Sequence, residues 1–153
     1  IFLGGWCVPG AYPMTPGSHI LRNDKGSFAD VTSQVAPGFA KCGMVRAIAF
    51  ADLNGDQKAE MLVAGEWMPL TVFQFKNGKF EDATAAFGLD KSNGFWRSLA
   101  LADFDGDGDT DIVAGNLGLN TRLTASPAAP LFIYAKDFEH YFIQQRQWEY
   151  SFW

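Results

Sequence analysis

Short apolar runs broken by polar turns fill this chain. No window keeps apolar residues at a 3.6-residue spacing over three turns, so the sequence predicts almost no helix. Ile1 to Trp6 is a short apolar run, followed by a loop rich in proline and glycine (Pro9, Gly10, Pro13, Pro16, Gly17). Ser18 to Arg22 and Ser27 to Thr32 read as strands around an Asn23–Gly26 turn, with a loop or one helical turn over Ser33 to Phe39. Val45 to Leu53 and Met61 to Trp67 are apolar strands flanking a polar stretch. Leu70 to Phe75 and Phe80 to Thr84 are strands around the hairpin signal Lys76-Asn77-Gly78-Lys79. Ala85 to Leu89 suits a single helical turn. Trp96 to Asp103, Asp111 to Leu117 and Pro130 to Lys136 are three further strands.

The runs repeat. Asp52 and Asp103 stand 51 residues apart, and Gly65 and Gly115 stand 50 apart. Val63–Trp67 matches Val113–Leu117, and Phe80–Thr84 matches Phe28–Thr32. A period near 50 residues with four short strands per unit predicts an all-β chain of the β-propeller type. Residues 45–84 make one complete blade, 1–32 a partial blade before it, and 96–137 a partial blade after it. The tail 138–153 fits a last blade strand, an interface or a sequence artefact. Closed propellers use four to eight blades. The chain is therefore expected to be a fragment of a larger propeller, the alternative being open edges capped by another chain. Ile1-Phe2-Leu3 reading as mid-strand points the same way.

Composition adds bounds. The 153 residues, 48% of them hydrophobic and 15% aromatic, suffice for a folded core. A formal charge of −5 disfavours nucleic acid as a partner. No stretch is long enough to span a membrane as a helix, and Cys7 and Cys42 show no metal or redox spacing. Two free buried thiols are expected rather than a disulfide.

The acids are concentrated. Asp103, Asp105, Asp107, Asp109 and Asp111 fall within nine residues, and Asp52, Asn54, Asp56, Lys58 and Glu60 occupy the matching places upstream. Carboxylates this close repel one another unless a cation sits among them. Side-chain oxygens at positions 1, 3, 5 and 9, with a backbone carbonyl at 7 (Lys58 or Asp109), form an all-oxygen set suited to Ca²⁺. Gly55, Gly106 and Gly108 supply the turns, and two Ca²⁺ ions would bring the charge to about −1. Position 12 is Val63 or Ala114, so a helix–loop–helix calcium motif fails and a strand–loop–strand hairpin remains. The second loop is the stronger of the two. In the first, Gln57 stands where the second has Gly108, and Lys58 adds a cation.

These loops, each followed by an apolar strand ending Ala-Gly, resemble the FG-GAP/VCBS repeats of integrin-α-like propellers. With Val8–Pro13, Gly65–Leu70 and Gly115–Asn120, residues 1–137 are similar to VCBS-repeat proteins of Bacteroidetes-type bacteria, related to the ASPIC/UnbV group. The resemblance implies a calcium-bearing propeller on a secreted, periplasmic or surface-anchored protein, serving as a binding or adhesion scaffold for an unknown protein or glycan. A carbohydrate-binding or polysaccharidase accessory module is the second expectation. No catalytic constellation is visible: His19 and His140 are 121 residues apart, with no nucleophile motif near either. Glu66 beside Trp67 would suit a sugar site, but Trp6 recurs in the earlier unit, which favours packing. Trp96 is expected to pack as well.

Overall fold

The computed structural model describes residues 1–118, 125–126, 128–135 and the strand 148–152. His140 and residues 138–147 of the tail lie outside that set. Antiparallel strands carry nearly all the regular structure. β1 (Phe2–Leu3), β2 (His19–Asp24) and β3 (Ser27–Asp30) form a three-stranded sheet. β4 (Met44–Ala51), β5 (Glu60–Met68), β6 (Thr71–Lys76) and β7 (Lys79–Asp82) follow as a meander, each paired with the next. β8 (Gly94–Ala102) and β9 (Asp111–Asn116) form a hairpin. β10 (Leu131–Ala135) pairs with β11 (Trp148–Phe152) in a separate sheet, and not with β9 as a third strand of that unit.

Two predicted strands end early, for one reason. Thr32 and Thr84 do not extend β3 and β7. Each instead opens a helical turn, α1 (Thr32–Val35) and a 3₁₀ turn over Thr84–Phe87. Asp30 and Asp82 accept hydrogen bonds from the Thr32 and Thr84 amides at 2.9 and 2.8 Å. The threonine hydroxyls accept from the amides of Ile20 and Val72, which the ladder would otherwise leave unpaired. Side chains thus replace the ladder at the same place in two repeats. Hydrogen bonds from Thr32, joined by His19 at 2.8 Å, hold the Asp30 carboxyl down at about 2.

β5 is the strand both cores share. Met61 and Val63 face a cluster with Ile20, Val31, Phe39 and Phe73. Leu62 and Ala64 face a second cluster with Leu70 and Val72, against which Leu99, Leu101, Ile112 and Ala114 pack. These four β5 residues are fully buried, as expected of a strand covered on both faces. Its end reaches further: Glu66 pairs with Met44 of β4 on one side and Phe95 of β8 on the other. Phe2 packs edge-on against Phe50 and Phe80, tying β1 to the meander. Cys7 and Cys42 are free and half-buried, and burial pushes the Cys42 thiol up to about 11.

Strand pairing also corrects the repeat alignment. Val45 pairs with Gly65 and Ala47 with Ala64, while Trp96 pairs with Asn116 and Ser98 with Gly115. The structural offset between these two hairpins is therefore 51 on both strands. Gly115 stands where Ala64 does, one residue away from its match by sequence. Arg46 and Arg97 are the equivalent unpaired residues, each on a bulge.

Candidate metal centre

The two acidic loops join β4 to β5 and β8 to β9, and one hydrogen-bond scheme folds both. Gly55 and Gly106 donate to the first aspartate, Asp52 or Asp103, at 2.7 Å each. Gln57 and Gly108 donate to its other oxygen at 2.6 and 3.0 Å. Asp56 and Asp107 donate to the side chains of Asn54 and Asp105, while Lys58 and Asp109 donate to Asp56 and Asp107. Leu53 and Phe104 donate to the final acids, Glu60 and Asp111, at 2.9 and 2.8 Å. Asp52 loses some solvation, which pushes its carboxyl up, but four backbone amides outweigh this and leave it below the ordinary value.

The backbone explains the glycines. Gly55 and Gly106 lie at φ 75° and 81°, and Gly108 at 95°. A Cβ would meet nothing at any of the three, so backbone torsion, and not crowding, selects glycine there. Gln57 takes the same left-handed conformation at φ 66°, a torsion that costs a side-chain-bearing residue about 1–2 kcal/mol.

The loops differ in how far their acids are satisfied. Carboxylate oxygens of Asp103, Asp105 and Asp111 lie within 4.8 Å of one another, at positions 1, 3 and 9. Asp107 is not in that group and accepts from the Asp109 amide. In the first loop position 3 is Asn54, whose amide donates to Glu60 at 3.5 Å. Gln74 adds a donor to the same Glu60 oxygen at 3.3 Å, and Glu60 is buried. Protein donors therefore do in the first loop part of what a cation would do in the second. The oxygen-only donors of both loops fit a hard divalent cation. Asp103, Asp105 and Asp111 would hold it in one, and Asp52, Asn54 and Glu60 in the other.

A second constellation lies at the opposite end of these hairpins, about 20 Å from the acids by strand length. Glu66 is 2% exposed. Its Oε1 lies 3.3 Å from Arg46 Nε and 3.6 Å from Arg97 Nη1 but has no aligned hydrogen bond to either. Tyr12 donates to Oε2 at 3.4 Å; burial, with Glu66 adding to it, raises the Tyr12 phenol. The Arg46 guanidinium lies 4.4 Å from the Trp6 ring centre, and that of Arg97 lies 4.9 Å from Phe95. Trp67, at φ 61°, breaks the register between Glu66 and Met68, and its indole donates to Tyr12. The sequence marked Glu66, Trp67 and Trp6 but missed both arginines, although their 51-residue spacing was a readable signal. Trp96 packs beside the second core and donates to the Ser92 carbonyl, and His19 pairs with Asp30 on the surface.

Comparison with known proteins bears on the loops. Residues 52–114, from the first aspartate of one loop to just past the end of the other, match the FG-GAP-like repeat family. Over 104 residues the chain is 30% identical to cartilage acidic protein 1 of Mus musculus. That alignment takes in 67% of this chain and 16% of the relative, so the chain spans about a sixth of the relative's length.

Proposed function

We propose that this chain contributes calcium-bearing repeat units to an integrin-like β-propeller that works as an extracytoplasmic binding scaffold. The convergence of Asp103, Asp105 and Asp111 on one point, in a loop built like its partner 51 residues earlier, carries this reading. The FG-GAP-like match across both loops supports it. So does the surface of the third unit: Phe104 and Val113, 57% and 53% exposed, hold the register positions of Leu53 and Leu62, which the next unit covers in the second. Units of this kind stack by repeating one interface.

Bound calcium neutralises the clustered carboxylates and ties strand to strand, a structural role that assigns no catalysis to the chain. The candidate partners are a protein or a glycan, and an acidic domain is poorly suited to nucleic acid. No helix among the described residues is long and apolar enough to cross a membrane, which leaves the proposed secreted, periplasmic or surface-anchored location open to a β-rich domain. At about 1 mM Ca²⁺ and a Kd of roughly 10⁻⁴–10⁻³ M, each site adds about 0.4–1.4 kcal/mol. Equilibrium dialysis with ⁴⁵Ca²⁺ tests the assignment. Two ions per chain are expected, the tighter one lost in Asp105→Ala; no saturable binding would end the proposal.

A further inference from the structure

The Arg46–Glu66–Arg97 constellation has no part in the calcium loops, yet it is built in detail. Two bulges, in equivalent places of consecutive repeats, aim both guanidiniums at one buried carboxylate. Bulges commonly re-aim a side chain in this way. Two cations face one anion, and among the described residues no other acidic side chain pairs with either arginine. Arg46 turns Nε toward Glu66 and Arg97 turns Nη1, so other N–H groups of each planar fork stay available. The side chains remain 26% and 46% exposed. The rings of Trp6 and Phe95 restrict their motion, which lowers the entropy cost of binding a ligand.

The surroundings narrow the ligand class. A cleft of about 250 Å³, lined by Phe2, Gly4, Val45, Arg46, Ala47 and Ile48, opens beside Arg46. Trp6 and Tyr12 stay 42% and 43% exposed next to the arginines, so aromatic surface adjoins the positive charge. Arginine forks match carboxylates, and aromatic faces match the C–H face of a sugar ring.

We propose that this end of the hairpins binds a carboxylated sugar, its carboxylate bridging Arg46 and Arg97 and its ring against the exposed aromatic surface of Trp6 and Tyr12. The site names a ligand class for the binding scaffold and so rests on that reading, but it lies at the far end of the hairpins from the calcium loops. The test is calorimetric titration of the 153-residue chain, with calcium present, by a galacturonate trimer, a neutral galactose trimer and a peptide with a free C-terminal carboxylate. The galacturonate trimer is expected to bind at least tenfold more tightly than the other two. Arg97→Gln should weaken it about tenfold or more while the melting curve stays cooperative. If that variant does not fold, Arg97→Lys keeps the charge, removes the fork and should weaken binding in the same direction. Absent uronate binding, equal or tighter binding of the neutral trimer or the peptide, or undiminished binding in the variants would each overturn the proposal. Calcium uptake by the same preparation separates failure of this site from failure of the scaffold reading.

Discussion

Single torsions decide how well each acidic loop is made. Gly106 and Gln57 are the informative pair, because both hold left-handed backbone but only one lacks a Cβ. Gly106→Ala is expected to lower stability by about 1–2 kcal/mol, since the torsion and not a clash opposes the new methyl. Gln57→Gly should be neutral or stabilising, because relief of the torsion offsets the greater freedom glycine gives the unfolded chain. Urea titrations of the two variants check both signs; a destabilised Gln57→Gly would mean the glutamine side chain contributes something the loop geometry does not reveal. At this scale the sequence marks which acids stand close together. Acids at positions 1, 3 and 9 come together in the second loop, whereas Asp107 stays outside the cluster. Spacing along a chain says which residues can converge, and backbone amides bond the clustered acids and Asp107 alike.

At the scale of elements, β5 carries most of the burial and is the place to test it. Leu62 is fully enclosed between the second unit and the third. Leu62→Ala should cost about 2–5 kcal/mol in a denaturant titration, and a loss below about 1 kcal/mol would show that the third unit does not cover that face. Alternation and turn residues made the strands legible, since a half-buried strand must alternate and a tight hairpin needs Asn-Gly. Their ends were not. Thr32 and Thr84 look like strand residues, but each reaches back across the ladder with its hydroxyl and ends the strand two residues early. The register was also hidden. Matching the two glycines gives an offset of 50, whereas pairing gives 51, because Gly115 takes the ladder place of Ala64 and not that of Gly65.

Across the whole molecule, one strand–loop–strand hairpin recurs with its acids at one end and its arginine at the other. Periodicity exposes the acidic end, where the candidate ligands of one loop lie within nine residues. The arginine end joins Tyr12, Arg46, Glu66 and Arg97 from separate parts of the chain. No local pattern reports such a meeting, and Glu66 read alone points to packing. The central claim is that calcium holds the repeats together, and thermal unfolding tests it most directly. Chelation by EDTA should lower the melting temperature, added Ca²⁺ should restore it, and Asp105→Ala should blunt the response. A melting curve that is the same with EDTA and with excess Ca²⁺ would contradict it.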